Sequence, residues 1–280
     1  MNLGQKLAVN YIRAKLNILS MVSKEKAAKK AFELFCTPFK KIKKKKPPIF
    51  EKAEKLAIDV EGLTIRGYRW NFPQEKKLLI IHGFESTVYN FDRYVVPLTK
   101  KGYEVLAFDA PAHGKSDGKQ ITLPLYVETI KKIYEQFGPL DAFMSHSFGG
   151  LAVTHFLESI QRNEHIKLVL IAPATETTTA IDSFFQFLQL NGSLRKEFDA
   201  FVEKKGGFPP GHYSIRRAMN YIQSNVLWVH DQDDEMTPLS DALKVHADQH
   251  TNVQFLITEG LGHRRIYRDN KVVKAILDYF

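Results

Sequence analysis

A serine in the segment SHSFGG, residues 145–150, has the residue type and the setting of a nucleophile. The apolar run 142–144 precedes it and the helix-length apolar stretch 151–157 follows it, so Ser147 lies where an extended segment turns into a helix. A hydroxyl on such a turn is lifted clear of the backbone, and the amides at the start of the helix can stabilise negative charge that develops beside it. The segment therefore predicts a nucleophile elbow. Ser145 stands where the usual G-x-S-x-G pattern has its first glycine, and the alternative is an ordinary glycine-containing turn.

A serine nucleophile needs a general base, and the base needs an acid that orients it. Both residue types occur in two late loops, HDQDDEMTP at 230–238 and GLGH at 260–263, each of which follows an apolar run. The second loop offers His263 as the base. The acids of the first loop that could orient it are Asp231, Asp233 and Asp234. Because loops at the carboxyl ends of parallel strands meet at one edge of a sheet, these side chains can converge with Ser147.

The elements that must position these residues alternate between strands and helices. Residues 56–60 and 63–70 alternate apolar and polar around a Glu-Gly pair, which predicts an antiparallel hairpin. After it come continuous apolar runs, typical of strands buried on both faces, at 78–81, 105–108, 142–144, 168–171 and 226–229, with a further strand at 253–257. Helix-length segments lie at 88–101, 123–137, 148–162, 238–248 and 266–279. This alternation predicts an α/β fold with a mostly parallel, twisted sheet and helices on both faces.

One interval is too long for a single crossover helix. Residues 174–222 carry apolar side chains at helical spacing, including Ile181, Phe184, Phe185 and Leu188. We predict a small inserted helical cap there, whose aromatic residues are mainly core.

The chain resembles the α/β-hydrolase family over residues 56–280, in blocks at HGF 82–84, DAPAHGKS 109–116, SHSFGG and the two late loops. The resemblance implies that Asp234, four residues before Pro238, is the acid, with Asp231 and Asp233 as fallbacks. It also implies that His263, after Gly262, is the base. The family's oxyanion hole corresponds to the backbone N–H groups of Phe84 and Phe148. His113 and His146 are expected to be scaffold or pocket-edge residues.

The expected function is that of a serine hydrolase that cleaves a carboxylic ester, or next a thioester, through an acyl-enzyme on Ser147. The expected substrate is a small molecule with an apolar acyl group. The same residues could serve acyl transfer, perhydrolysis or carbon–carbon bond hydrolysis. A different alternative is a catalytically silent binding protein with this fold. No metal-ligand spacing or phosphate-binding loop occurs, so neither a metal nor a cofactor is expected.

The composition limits the size of the core and the cellular compartment in which the protein is expected. The 280 residues are 44% hydrophobic, enough for one large core. The single cysteine, Cys36, cannot form an intramolecular disulfide, and neither a membrane-spanning run nor a signal peptide is present. We therefore expect a cytoplasmic protein.

The net charge of +9 is concentrated near the start of the chain, where residues 1–55 hold 15 Lys or Arg and 4 Glu. We divide the chain into a basic helical extension, 1–48, and a hydrolase domain, 49–280. Within the extension, residues 3–22 place apolar side chains at steps of three or four, and residues 40–46 hold six lysines. One interpretation is that these helices pack on the hydrolase domain. The other is reversible contact with an anionic membrane, such as the inner face of the cell membrane. Nucleic acid is disfavoured, because no binding module accompanies the charge.

Overall fold

The computed structural model describes residues 3–39 and 44–280. Its eight strands form one sheet in the order β1-β2-β4-β3-β5-β6-β7-β8. Strands β1 and β2 are antiparallel, as are β2 and β4, and all other neighbours are parallel. The strands are β1 Glu54–Val60, β2 Leu63–Trp70, β3 Lys76–Ile81, β4 Tyr103–Phe108, β5 Ala142–His146, β6 Lys167–Ile171, β7 Asn225–Asp231 and β8 Val253–Thr258. The mostly parallel sheet predicted from the apolar runs is thereby confirmed.

The helices of the described residues follow the predicted alternation. They are α1 Leu3–Val22, α2 Lys24–Phe35, α3 Asp92–Lys100, α4 Leu123–Phe137, α5 Phe148–Leu157, α6 Thr177–Leu188, α7 Gly192–Gly206, α8 Ile215–Ala218, α9 Leu239–Ala247, α10 Gly262–Arg265 and α11 Asn270–Tyr279. Short 3₁₀ turns lie at Pro48–Phe50, Val88–Phe91, Pro210–His212, Met219–Tyr221 and Ile266–Arg268. No helix in the described ranges has both the length and the apolarity needed to cross a bilayer.

Three predicted helices have different bounds in the structure. The helix predicted over 148–162 ends at Leu157, because the Asn163 side chain donates to the carbonyls of Leu157 and Ile160 at 3.2 and 3.1 Å and so satisfies the end of α5. The predicted 88–101 helix begins with a 3₁₀ turn, and the last helix begins only after Asp269, whose side chain caps α11. Side-chain hydrogen bonds thus set the first and the last of these boundaries, whereas no side chain caps the start of α3.

The chain divides into two compact units. The larger, Pro38–Thr175 with Ile215–Phe280, contains the sheet and the helices that cover it. Its core has two layers, one on each face of the sheet: Leu79, Phe143 and Trp228 lie in one, and Leu78, Met144 and Val229 in the other. Alternate residues of β3, β5 and β7 thus enter opposite layers, as expected for strands buried on both faces.

The smaller unit joins the described residues up to Thr37 with Glu176–Ser214. Here α1 and α2 share one apolar core with α6 and α7. Three alanines of α2, Ala27, Ala28 and Ala31, are fully buried, so their small side chains let α7 approach closely. Rings from both segments then interlock: Phe32 lies 5.2 Å from Phe201, and Phe35 lies 5.4 Å from Phe184. The aromatic residues of the predicted cap are therefore largely core residues of this unit.

Candidate active site

Ser147 occupies a sharp turn between β5 and α5. Its backbone has φ 55° and ψ −125°, a conformation that residues other than glycine rarely adopt. The turn is held by its own backbone, because the Ser147 N–H donates to the Ile171 carbonyl at 3.1 Å and the Ser147 carbonyl accepts from Gly150 and Ala174 at 2.9 and 3.1 Å. The hydroxyl is consequently fixed at the carboxyl end of a buried central strand.

The turn also requires glycines. A Cβ at Gly83 would lie 2.7 Å from the Ser147 Cβ, and one at Gly149 would lie 2.6 Å from the His82 carbonyl oxygen. The segment after β3 therefore approaches the elbow more closely than any larger residue permits. Ser145 needs no such approach: it is fully buried, and its hydroxyl donates to the Val169 carbonyl on β6 at 3.1 Å. The departure from the usual pattern is thus accommodated by a hydrogen bond to the neighbouring strand.

The two late loops meet at the elbow. His263 Nε2 lies 3.0 Å from Ser147 Oγ, and His263 Nδ1 lies 2.8 Å from Asp234 Oδ2. Asp234 follows β7, and His263 lies in α10 after β8. The backbone N–H groups of Met236 and Thr237 each donate to Asp234 Oδ1 at 2.9 Å, which leaves Oδ2 directed at the imidazole. The structure thus brings together the serine, the histidine and the aspartate that the resemblance selected.

The other two aspartates of this loop bind backbone instead. Asp231 accepts from the N–H groups of Gly262 and Leu261 at 2.8 and 3.1 Å, and Asp233 accepts from Gly260 at 2.7 Å. Both side chains therefore tie the acid loop to the loop that carries His263. In the part of the chain that the structure describes, neither carboxylate is hydrogen-bonded to the His263 ring.

Burial and hydrogen bonding shift the pKa values of Asp231 and Asp234 in opposite directions. Burial raises the pKa of Asp234, but the hydrogen bond from His263, its charge and the two backbone donors outweigh it and hold the pKa below its usual range. The same balance, with donors from Thr258 and the 261–262 backbone, lowers the pKa of Asp231. Asp234 is therefore ionised at neutral pH, as an acid that stabilises an imidazolium must be.

Thr237 is a site residue that the sequence did not single out. Its hydroxyl lies 2.9 Å from Asp234 Oδ2, 3.1 Å from His263 Nδ1 and 3.2 Å from the Ala172 carbonyl. It thus contacts both members of the acid–base pair. Its place directly before Pro238 was the available signal, since a hydroxyl at a turn commonly bonds to nearby polar groups.

Two backbone N–H groups lie next to the elbow. Phe148 is the first residue of α5, where amides have no partner within the helix, and Phe84 follows Gly83. Among the residues that the structure describes, no acceptor pairs with either N–H. Each can therefore donate to an oxygen that becomes negative during reaction.

A network of buried histidines shapes the segment that carries Phe84. His82 Nδ1 donates to the Gly83 carbonyl at 2.8 Å, while its Nε2 accepts from the Ala110 N–H at 2.9 Å. His113 Nε2 accepts from the N–H of Glu85 at 2.9 Å. His113 is thus a scaffold residue, which holds the turn immediately after Phe84.

His146 lies directly beside the base. Its Nε2 donates to the His263 carbonyl at 3.0 Å, its ring centroid lies 4.6 Å from that of His263, and its Nδ1 has no partner in the described structure. Burial, reinforced by the nearby positive charge of His263, lowers the pKa of His146 to about 3. The His146 ring is therefore neutral at neutral pH and adds no positive charge beside His263.

The neutral His146 predicts acid lability. On unfolding, its pKa returns to about 6.5, so below that pH the unfolded chain binds a proton that the folded chain does not accept until about pH 3. Between pH 7.5 and 5.5 this alone should lower the free energy of unfolding by about 1 kcal/mol. Burial lowers the pKa of His82 and of His230 too, which adds to the loss. Urea unfolding at the two pH values measures it. His146→Gln should reduce the difference in the free energy of unfolding between the two pH values, whereas His165→Gln, at an exposed position, should not. The same difference in both variants would contradict this account.

The close approach at Gly83 predicts a large effect for a single methyl group. Gly83→Ala places a Cβ 2.7 Å from the Ser147 Cβ and 3.1 Å from the His146 carbonyl, so the elbow must shift. We expect at least a tenfold loss of ester hydrolysis and destabilisation of about 1–3 kcal/mol. Gly211→Ala is the matched control, because no atom lies within 4 Å of its added Cβ. Steady-state kinetics and thermal unfolding test the pair, and full activity in Gly83→Ala would refute the steric argument.

No group of His, Cys, Asp and Glu in the described ranges is arranged to hold a metal ion. Cys36 is buried, which raises the pKa of its thiol to about 12, so it is not a second nucleophile at neutral pH.

Comparison with known proteins supports the α/β-hydrolase fold. The family model described as serine aminopeptidase, S33, matches residues 73–205, a span that contains Ser147 and ends before Asp234 and His263. The uncharacterized protein YqkD of Bacillus subtilis is 26% identical over 258 residues, which cover 82% of this chain and 81% of that protein. A probable serine hydrolase of Drosophila melanogaster is 26% identical over 130 residues, 44% of this chain and 39% of that protein. Among solved structures, the Pyrococcus furiosus esterase Pf2001 superposes with a TM-score of 0.65 at 19% identity, covering 87% of this chain and 97% of that one.

Proposed function

We propose that this chain, which is an α/β hydrolase, cleaves carboxylic esters through an acyl-enzyme intermediate on Ser147. The observation that carries the proposal is the continuous contact from Ser147 Oγ through His263 to Asp234, with separations of 3.0 and 2.8 Å. Two unpaired amides beside the serine, those of Phe84 and Phe148, support it, because acyl transfer generates an oxyanion that needs such donors.

In the acylation half, Ser147 Oγ attacks the carbonyl carbon while its proton passes to His263 Nε2. The carbonyl oxygen becomes negative and accepts hydrogen bonds from the N–H groups of Phe84 and Phe148. Asp234 holds the Nδ1–H of the imidazole and stabilises its positive charge. The tetrahedral species collapses as His263 gives its proton to the departing alkoxide, which leaves as the alcohol.

In the deacylation half, a water donates a proton to His263 Nε2 and attacks the acyl carbon. The same two amides hold the second oxyanion. The bond to Ser147 Oγ then breaks, His263 returns the proton to the serine, and the carboxylic acid leaves. A thioester would follow the same route with a thiol as the leaving group.

Covalent labelling tests the proposal. We expect a fluorophosphonate probe to modify the protein once, with the adduct on the peptide that carries Ser147, and prior heat denaturation to prevent labelling. A panel of p-nitrophenyl esters of increasing acyl length should then show turnover. Absence of both labelling and turnover would favour a catalytically silent binding protein, and labelling at a different serine would move the nucleophile.

A further inference from the structure

Helix α1 carries two apolar faces, and only one of them is used inside the protein. Leu16 is 1% exposed, and Val9, Ile12 and Leu19 pack with it against the core of the smaller unit. Arg13 secures the same side, since its Nε donates to the Leu188 carbonyl at 3.0 Å. This face anchors α1 to the α2, α6 and α7 core.

The opposite face of α1 is apolar and open to solvent. Leu7, Tyr11, Ile18, Met21 and Val22 are 61, 67, 64, 86 and 81% exposed, and Ala14 completes their spacing of three or four residues. Such spacing puts them in one line along the helix, which we call the α1 stripe. Except for Met21, these are the residues whose spacing predicts the helix from the sequence. An apolar line of this length on a surface calls for a partner.

Charge indicates the kind of partner. Lys6 and Lys15 are exposed on α1, Lys24 and Lys26 follow at the start of α2, and α1 has no acidic residue. By helical geometry Lys6 and Lys15 lie on opposite flanks of the α1 stripe. Apolar residues along the centre of a helix face and lysines at its edges are the arrangement of helices that lie in the plane of an anionic bilayer. We propose that the α1 stripe binds the interface of an anionic membrane in this way.

A second copy of the chain would fit the apolar spacing but not the charge. The steps 7, 11, 14 and 18 match a two-helix seam, in which residues of opposite charge usually flank the apolar line. Two α1 helices would instead bring lysines together with no acidic residue of α1 to pair with them. An anionic lipid surface removes that repulsion, because each lysine then faces phosphate.

Two lysines of the segment 40–46 are bound within the protein. Lys44 donates to the Tyr89 carbonyl at 2.8 Å and lies 3.8 Å from Asp92, and Lys46 lies 2.8 Å from Glu51. Lys40, Lys41 and Lys43 lie outside the described residues. The proposal therefore depends on α1 and its own flanking lysines.

Co-sedimentation of the full chain with vesicles tests the apolar part. We expect binding to phosphatidylglycerol–phosphatidylcholine vesicles and little binding to phosphatidylcholine alone. Ile18→Ser with Met21→Ser should weaken the partition at least tenfold. Val96→Ser with Leu243→Ser, at residues 43 and 42% exposed on other helices, should not. Thermal midpoints must agree among the variants. Equal partition of the two double variants, or no binding by the wild type, would overturn the proposal.

A charge pair of variants tests the electrostatic part. Lys6→Glu with Lys15→Glu should abolish binding at low salt, whereas Lys131→Glu with Lys271→Glu, exposed lysines far along the chain, should retain it. Equal loss in the two pairs would show attraction by net charge alone and refute a role for the α1 stripe. Sedimentation equilibrium without vesicles tests whether the α1 stripe binds a second copy of the chain. If the wild type is a dimer and the Ile18→Ser, Met21→Ser variant is a monomer, the stripe serves self-association and the membrane proposal is overturned.

Discussion

Replacing Ser147 by alanine is expected to abolish ester hydrolysis while leaving the fold intact. The hydroxyl lies 3.0 Å from His263 Nε2, where its proton can be taken as it attacks an ester, and the elbow is held by backbone bonds that alanine preserves. Loss of a serine nucleophile commonly lowers kcat by several orders of magnitude. Steady-state kinetics with a p-nitrophenyl ester measure the loss, and circular dichroism checks the fold.

Ser145 supplies the matched control for this experiment. Its hydroxyl lies in the same turn but points to the Val169 carbonyl, so Ser145→Ala should cost about 1 kcal/mol of stability through one buried hydrogen bond. Turnover by this variant should remain within a few-fold of wild type at a temperature where both are folded. If Ser147→Ala keeps measurable turnover after rigorous purification, the acyl-serine mechanism is wrong.

The second large effect concerns the acid. Asp234→Asn is expected to lower kcat by about 10⁴-fold, because an amide at 2.8 Å from His263 Nδ1 favours the wrong imidazole tautomer and cannot offset the imidazolium charge. The change is isosteric, and Thr237 and Met236 N–H groups can still bond to the amide oxygen, so the loop should keep its shape. The measurement is kcat for hydrolysis of a soluble ester by Asp234→Asn and by the wild type, taken over a range of pH.

The neighbouring aspartates make this a discriminating test. Asp231→Asn leaves the imidazole contact intact but weakens two bonds to the 261–262 backbone, so we expect a lower thermal midpoint and a modest loss of kcat. Asp233→Asn touches only the exposed bond to Gly260 and should have the smallest effect. A kcat for Asp231→Asn or Asp233→Asn below that for Asp234→Asn would transfer the orienting role.

The parts of the site that could be predicted are those whose chemistry follows from local order along the chain. A serine between a buried strand and a helix, and a histidine after a late strand, must reach the same sheet edge if the sheet is parallel. The choice among Asp231, Asp233 and Asp234 came from a resemblance, since all three lie in one acidic loop. What separates them is the 260–262 backbone, to which two of them are bound, and no pattern within residues 230–238 encodes that contact.

For helix α1 the sequence predicts the helix correctly but does not determine which of its faces is buried. Its bounds, Leu3–Val22, match the predicted span. Periodicity cannot tell which of two apolar faces meets a core, and here the face with Leu16 is buried while the α1 stripe stays exposed. The deciding partners, α6 and α7, lie far along the chain, and the sequence contains no signal that links the two segments.

The shared core of the smaller unit also sets an order of events during synthesis. Helices α1 and α2 are made before α6 and α7, and α6 begins about 140 residues after α2 ends. At about 5–20 residues per second, roughly 7 to 30 seconds pass before their packing partners exist. For that interval Val9, Ile12, Leu16 and the buried alanines of α2 have no native neighbour from α6 or α7. The apolar residues of α1 and α2 therefore stay unburied until the distant α6 and α7 have been made. In that interval these two helices are the segment to which a chaperone, or another aggregating chain, would bind.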